Sequence, residues 1–108
     1  GGNIKKAVKC ARENYPKLKI EVEADTVEQA KTAAEAGADI ILLDNMSCEE
    51  LIQSIELISG RSKTEASGGI TMDTVREIAE TGVDYISIGA LTHSAPAVDI
   101  GFDFDQLS

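Results

Sequence analysis

Two places in the sequence carry glycines where a phosphate group could be bound. Ser67-Gly68-Gly69 follows the run "KTEA", and Gly89-Ala90 follows the run "DYISI"; both runs are typical of short strands. Glycine lets backbone N–H groups approach phosphate oxygens, and a helix that starts nearby adds a favourable dipole. One Gly-Gly turn is weak support, because most such turns only redirect the chain. The same composition at two consecutive strand ends predicts a phosphate site more firmly.

Acidic residues accompany these glycines on neighbouring predicted strands. In the run "KIEVEA" apolar and acidic residues alternate, so Glu21 and Glu23 share one face of the strand. In a barrel the apolar face would meet the helices, and the two glutamates would point into the barrel. Asp44 ends the next run, "DIILLD", and Glu65 lies on the third strand. If the strands are parallel, these carboxylates gather towards the carboxyl edge of the sheet, where barrel enzymes keep their active sites. The alternative is that Glu21 and Glu23 only form a solvated strand surface.

Helices and strands must alternate to position these groups. Strands are predicted over 19–24, 39–44, 63–66 and 84–89. The first helix is predicted in "NIKKAVKCARENYP", where Asn3 has a residue type suited to the N-cap. Three more helices are expected between the strands, with starts at Thr26, at Ser47, and at Thr71 or Asp73.

An internal repeat supports this order. The segments "EAGADIILL" (35–43) and "ETGVDYISI" (80–88) share the pattern E-x-G-x-D-x-I, two βα units apart. Alternating strands and helices with short connections predict an α/β fold with a parallel sheet and right-handed crossovers. Two architectures fit: four βα units of a TIM-like barrel, or a small open doubly wound sheet. A complete barrel needs about 250 residues, and this chain of 108 residues has room for about half of one.

Composition restricts the partners and the compartment. The chain has a net charge of −9 and 43% hydrophobic residues, so it is typical of a globular protein and unsuited to nucleic acid or an anionic membrane. Cys10 and Cys48 lie far apart without a C-x-x-C motif, which favours reduced thiols and a cytoplasmic location. The chain opens with Gly1-Gly2 rather than Met, and we expect it to begin inside a longer gene product.

Three stretches carry a resemblance to a known family. The segments "IEVEADTVEQAKTAAEAGADIILLDNMSCEEL", "EASGGIT" and "ETGVDYISIGALTHSAPAVDIGFDF" together resemble the C-terminal part of quinolinate phosphoribosyltransferases, which are also called nicotinate-nucleotide pyrophosphorylases (carboxylating). The similarity extends over essentially the whole chain, in the family's order and spacing. Relatives named for molybdenum transport share the layout, but "LLDN" and "GALTHSA" are more similar to the quinolinate enzymes.

The resemblance implies a reaction and roles for particular residues. Quinolinate and phosphoribosyl diphosphate would give nicotinate mononucleotide, pyrophosphate and CO2 in NAD biosynthesis, with Mg²⁺ held through the substrate. Glu23 and Asp44 match the acids that act on the ribose hydroxyls and the Mg²⁺–diphosphate region. The 5′-phosphate would be held by two loops, Ser67, Gly68 and Gly69 in one and Ile88, Gly89 and Ala90 in the other.

The resemblance also implies that this chain is incomplete as a catalyst. The family binds the two carboxylates of quinolinate with cationic residues upstream of this segment, in the N-terminal domain and the first half of the barrel. We therefore expect residues 1–108 to form a partial barrel domain that supplies the ribose-phosphate side and is inactive alone. Without the missing half, its edge strands and apolar interior face would favour a homodimer or larger assembly. The alternative is a non-catalytic half-barrel that binds phosphate and self-associates.

The roles of three residues remain open at this level. Lys63 could neutralise Glu21, Glu23 or Glu65 inside the barrel. No further role is assigned to Glu65, and His93 could donate to a phosphate, face solvent or brace a loop.

Overall fold

The computed structural model describes residues 2–88 and 97–101, which form one parallel sheet with helices between its strands. The helices are α1 (Gly2–Asn14), α2 (Val27–Glu35), α3 (Cys48–Ile58) and α4 (Val75–Ala79). The strands are β1 (Lys19–Ala24), β2 (Ile40–Asp44), β3 (Lys63–Ser67), β4 (Tyr85–Ile86) and β5 (Ala97–Ile100). The predicted α/β class, with four parallel strands that alternate with helices, is confirmed.

The strands lie in the order β4-β3-β2-β1-β5, and every neighbouring pair is parallel. From β1 to β4 each crossover moves one strand along the sheet in chain order, which is how strands follow one another round a barrel. The fourth strand is shorter than the predicted 84–89, although the N–H of Ser87 still donates to the carbonyl of Ala66 at 2.9 Å.

The core lies between the helices and one face of this sheet. Alternate residues of β1 and β2 point into it, and Ile20, Val22, Ile41 and Leu43 are fully buried there. Burying a side chain of this size stabilises the fold by roughly 1.5–3 kcal/mol. On α2 the residues that face the strands are alanines, among them Ala30, which allow the helix to lie close to the sheet.

The opposite face of the sheet is not covered by any helix in the described part of the chain. We call it the open face, and its residues are half-buried or exposed: Lys19, Glu21, Glu23, Ile40, Leu42, Asp44, Lys63, Glu65, Ser67 and Tyr85. The prediction that the apolar face of β1 meets the helices and its glutamates point away from them is therefore confirmed.

Helix starts follow the predicted caps in two of four cases. Ser47 and Glu50 form a complete capping box. The Ser47 N–H donates to the Glu50 carboxylate at 3.0 Å, and the Glu50 N–H donates to the Ser47 hydroxyl at 3.2 Å. Thr26 caps α2 by accepting from the N–H of Gln29. Asn3 lies inside α1, so its assignment as an N-cap is wrong.

The start of α4 also differs from its prediction. Thr74 occupies the N-cap and makes no side-chain cap bond, because its hydroxyl instead accepts from the N–H of Thr71 at 3.1 Å. Neither Thr71 nor Asp73 is therefore the cap. Ile70–Thr74 separate Gly69 from the helix, so the glycine turn is not followed directly by a helix N-terminus as the sequence predicted.

The repeated E-x-G-x-D-x-I pattern has one structural role in both copies. A carboxylate just before a strand accepts a hydrogen bond from the backbone of the preceding strand in the chain: Asp39 from the N–H of Ile20 at 2.7 Å, and Asp84 from the N–H of Thr64 at 2.8 Å. Each acid therefore fixes the amino end of one βα unit against the next.

The fifth strand was not predicted. β5 pairs with β1 in register, with Ile20 opposite Val98 and Val22 opposite Ile100. The predicted strands end at residue 89, and "AVDI" (97–100) was assigned to no helix or strand. The expectation that β1 is an open edge is therefore wrong; among the described strands, β4 and β5 are the edges.

Candidate active site at the carboxyl edge of the sheet

The predicted site residues of β2 and β3 meet at the carboxyl edge. Asp44 and Ser67 are register partners at the ends of the two strands. The hydroxyl of Ser67 donates to Oδ1 of Asp44 at 3.3 Å, a long bond that still orients the carboxylate across the strands. The Asp44 side chain is half-buried, so it remains accessible from the open face.

Asn45 extends this pairing past the end of β2. Its N–H donates to the carbonyl of Ser67 at 2.8 Å, and its φ of +57° is left-handed. Asparagine adopts this conformation more readily than most residues. No role for Asn45 was predicted from the sequence, and the signal that could have identified it is an asparagine directly after a buried strand.

Gly68 lies directly against the Asp44-Asn45 segment. A Cβ atom at Gly68 would be 2.6 Å from Oδ1 of Asp44 and 2.9 Å from the backbone nitrogen of Asn45. At Gly69 the nearest atom would be Oδ1 of Asn45, at 3.7 Å, which is an ordinary contact. The two glycines of the turn therefore differ: the first is required by close packing, and the second leaves space beside the backbone.

Glu23 is the second predicted acid, and it lies diagonally from Asp44 on the open face. It is exposed on β1 and is paired in register with Leu42, two residues before Asp44. Leu42 is in turn opposite Glu65 of β3, so one apolar side chain separates two carboxylates. The structure thus brings Glu23 and Asp44 to neighbouring strands with the same orientation.

Glu65 has an altered acidity. Partial burial on the open face raises the pKa of its carboxyl above the ordinary value of 4.5, because removal from water disfavours the charged form. This shift in the pKa of Glu65 could not be predicted, since the alternation of β3 alone does not show how much water reaches each side chain.

The second predicted phosphate loop is described only at its first residue. Ile88 is exposed, two residues beyond β4. Gly89 and Ala90 lie outside the described residues, and so does His93.

A divalent cation would have two carboxylates available here. Within residues 2–88 and 97–101 no group of three or more His, Cys, Asp and Glu residues is arranged to hold a metal ion. Glu23 and Asp44 nevertheless fit a Mg²⁺ ion that is carried mainly by substrate phosphates, because such ions often take only one or two carboxylates from the protein. In the same described part of the chain, no helix has the length and apolar content needed to cross a membrane.

Comparison with known proteins gives a consistent family. The family described as quinolinate phosphoribosyl transferase, C-terminal domain, matches residues 1–103. A probable nicotinate-nucleotide pyrophosphorylase (carboxylating) of Bacillus subtilis is 44% identical over 103 residues, with 94% of this chain and 36% of the relative covered. The nicotinate-nucleotide pyrophosphorylase (carboxylating) of Homo sapiens is 43% identical over 102 residues, which cover 91% of this chain and 34% of the relative.

A solved structure agrees with the sequence relatives. The nicotinate-nucleotide pyrophosphorylase of Francisella tularensis superposes with a TM-score of 0.77 at 37% identity, over 90% of this chain and 35% of that one. The chain spans about a third of the length of these curated relatives. Because the family match covers nearly its full length, the chain belongs to the quinolinate phosphoribosyl transferase family. The match lies in the C-terminal domain of the proteins of that family.

Proposed function

We propose that this chain supplies the ribose-phosphate side of a phosphoribosyltransferase that converts quinolinate and phosphoribosyl diphosphate to nicotinate mononucleotide, pyrophosphate and CO2. The observation that carries the proposal is the arrangement at the carboxyl edge, where the Asp44 carboxylate is held between the Ser67 hydroxyl and the backbone at Gly68, with Glu23 on the adjacent strand. The names of the relatives, which describe this carboxylating reaction, support the same assignment.

The reaction places defined demands on such a site. The bond from the anomeric carbon to the diphosphate oxygen breaks, and the ring nitrogen of quinolinate forms the new bond to that carbon. Positive charge develops on the ribose, and carboxylates stabilise it and orient the ribose hydroxyls. Glu23 and Asp44 have the charge and the common orientation for this work. Mg²⁺, bound with phosphoribosyl diphosphate near these acids, would supply charge neutralisation for the departing pyrophosphate.

The 5′-phosphate belongs beside the glycine turn in this proposal. Backbone N–H groups of Gly68 and Gly69 lie at the same edge as the acids, and Ile88, Gly89 and Ala90 would complete the loop from the next strand. Positive φ angles of +87° at Gly68 and +64° at Gly69 turn the chain sharply at the strand end, as in concave anion sites made of successive amides.

The pyridine dicarboxylate of quinolinate needs cations from elsewhere. Arg12 pairs with Asp39 and donates to the carbonyl of Gly37, at the amino end of the strands. Arg61 donates to the carbonyls of Leu57 and Ile58 at the end of α3. Both guanidinium groups therefore serve the fold, on the side away from the acids. We propose that the remaining two-thirds of a complete enzyme supply the cations, as a covalent portion or as a partner.

Assembly and location follow as parts of the same proposal. Burial of the open face by the rest of a barrel, or by a second copy of this chain, would remove Ile40 and Leu42 from water. The small-molecule substrates and the reduced thiols of Cys10 and Cys48 suit a cytoplasmic enzyme.

A second function is favoured by the open face alone. A half-barrel that binds phosphate without catalysis, and self-associates through this face, would need the glycine turn but neither Glu23 nor Asp44. Removal of Glu23 and Asp44 should abolish catalysis if the chain belongs to a transferase, and should leave phosphate binding unchanged if the half-barrel only binds phosphate.

A hybrid enzyme tests the proposal. This chain replaces the matching third of the Bacillus subtilis relative, which then contributes the upstream portion. We expect the hybrid to form nicotinate mononucleotide and CO2 from quinolinate, phosphoribosyl diphosphate and Mg²⁺. A folded hybrid that binds phosphoribosyl diphosphate but has no turnover would favour the non-catalytic alternative, and one that neither binds nor turns over would refute both.

A further inference from the structure

Among the described glycines, Gly68 is the one that a candidate catalytic group, the Asp44 carboxylate, approaches too closely for a Cβ atom to fit. A Cβ atom at Gly68 would lie only 2.6 Å from Oδ1 of Asp44 and 2.9 Å from the backbone nitrogen of Asn45. Protein Cβ atoms are essentially never found at such distances, so a Cβ at Gly68 would have to be relieved of both contacts, with the Asp44 carboxylate and with the Asn45 backbone. A backbone atom cannot turn aside as the end of a long side chain can.

Backbone conformation is not the only requirement for glycine at this position. Gly37, Gly60 and Gly82 also have positive φ angles, of +89°, +78° and +96°, yet a Cβ at any of them would meet no atom of the described residues within 4 Å beyond its own chain neighbours. At those positions the left-handed conformation is sufficient reason for glycine. Gly68 combines a similar φ of +87° with a close approach to Asp44, which is a separate requirement.

We propose that Gly68 is a positioning residue that sets the orientation of the Asp44 carboxylate, with Ser67 fixing the same group from the other side. Three contacts define the arrangement: the Ser67 hydroxyl to Oδ1 of Asp44 at 3.3 Å, the Asn45 N–H to the Ser67 carbonyl at 2.8 Å, and the packing of Asp44 on Gly68. This inference rests on the proposed function, because it assigns Gly68 and Ser67 to the same reaction.

The inference also refines where phosphate binds. A phosphate oxygen beside Gly68 would meet the negative Oδ1 of Asp44 at close range, and like charges at that distance repel strongly. Beside Gly69, among the described residues and apart from its chain neighbours, the only heavy atom within 4 Å of an added Cβ is Oδ1 of Asn45, at 3.7 Å. The turn is therefore divided: Ser67 and Gly68 serve the carboxylate, and Gly69 faces the phosphate.

Matched glycine variants of the hybrid enzyme separate positioning from backbone strain. Gly68→Ala and Gly82→Ala both place alanine at a positive φ, but only the first creates the contact with Asp44. We expect Gly68→Ala to lower kcat by about 100-fold, the effect of displacing a catalytic group by about 1 Å, while Gly82→Ala leaves kcat within about twofold. The melting temperature of both variants is measured to account for strain.

A double-mutant cycle then tests whether Gly68 acts through Asp44. In an Asp44→Ala background, Gly68→Ala should lower kcat by far less than about 100-fold, because the carboxylate that it positions is gone and only the contact with the Asn45 backbone remains. A merely structural role would lower activity equally in both backgrounds. An equal loss in both, or a Gly68→Ala variant as active as Gly82→Ala, would overturn the inference while leaving the function of the active hybrid intact. An unsubstituted hybrid without turnover would instead refute the proposed function.

Ser67 provides a second route if Gly68→Ala fails to fold. Ser67→Ala keeps the backbone and removes the hydroxyl, with an expected loss of about threefold to tenfold in kcat/KM, which corresponds to one weak hydrogen bond. Ser67→Thr should restore most of it. The loss should disappear in the Asp44→Ala background, and its persistence there would show that Ser67 acts on substrate independently of Asp44.

Discussion

Arg12 on α1 forms an ion pair with Asp39 at the amino end of β2, with 3.0 Å between Nη1 and Oδ2. The same carboxylate accepts from the N–H of Ile20 at 2.7 Å, so one side chain joins the first helix to the first two strands. Burial opposes ionisation of this carboxyl, but the hydrogen bonds from Arg12 and Ile20 and the charges of Arg12 and Lys19 outweigh it and hold the pKa of Asp39 below 3.8.

Asp39→Asn should therefore lower the free energy of unfolding of this chain at neutral pH by about 1 kcal/mol, a modest value because both partners are partly exposed. A carboxyl whose pKa is depressed in the folded state contributes stability above its unfolded value, here 3.8, and loses it as pH falls through the lower folded value. The difference between Asp39→Asn and the parent should shrink below about pH 4. Urea unfolding at fixed protein concentration measures it, and a pH-independent difference would contradict the assignment.

Glu65 should show the opposite pH dependence. Burial raises the pKa of its carboxyl above 4.5, so the charged form destabilises the fold at pH values above the folded pKa, and this cost disappears as pH falls below 4.5. Glu65→Gln should accordingly stabilise the chain by roughly 0.5 kcal/mol at pH 7 and have little effect near pH 4. The measurement is the same urea series, with Glu28→Gln on α2 as a solvent-exposed control. Destabilisation by Glu65→Gln at pH 7 would reveal a favourable partner for the carboxylate.

Gly69 should be required for phosphate binding. Valine at a φ of +64° would crowd the amides that are proposed to hold the 5′-phosphate of phosphoribosyl diphosphate. We expect Gly69→Val in the hybrid enzyme to raise the Kd for phosphoribosyl diphosphate, measured by calorimetry, by at least about tenfold. Gly60→Val is the matched control, since Gly60 has a φ of +78° and lies after α3, at the other end of the strands. Unchanged affinity in Gly69→Val, or equal loss in both variants, would argue against the phosphate site.

The isolated 108-residue chain should self-associate through its open face. β4 remains an edge strand, and Ile40 and Leu42 are only partly buried. Light scattering should give a mass above 11.5 kDa. Leu42→Lys should lower that mass, because it replaces an apolar side chain of the open face, between Glu23 and Glu65, with a charged one. Leu57→Lys, which alters an exposed leucine on α3, should not. A cooperatively folded parent of 11.5 kDa would show instead that the partial barrel is self-sufficient.

The layers of this fold were predictable because its strands differ in burial on their two faces. Alternation in β1 identified its helix-facing residues, whereas the apolar run of β2 predicted a buried strand without distinguishing its two faces. Asp44 was correctly assigned to the carboxyl edge. The strand β5 was missed because it is only four residues long and its partner, β1, lies far away in the chain, so local sequence does not show the pairing.

The contacts within the site were less predictable than its location. The pattern Ser67-Gly68-Gly69 suggested one phosphate loop, whereas the packing distinguishes its two glycines by their distances to Asp44 and Asn45. Such distances depend on how two strand ends twist towards each other, and no spacing within the sequence records them. The start of α4 was misplaced for a related reason, because Thr71 and Thr74 bond to each other instead of capping the helix.

Asp44→Asn in the hybrid enzyme tests the central claim most directly, since it removes one charge and leaves the shape of the side chain. If Asp44 stabilises charge on the ribose, kcat/KM for phosphoribosyl diphosphate should fall about 100-fold or more, while the melting temperature stays within a few degrees. Turnover that is unchanged per folded molecule, together with a large loss of stability, would contradict the account and make Asp44 a structural residue.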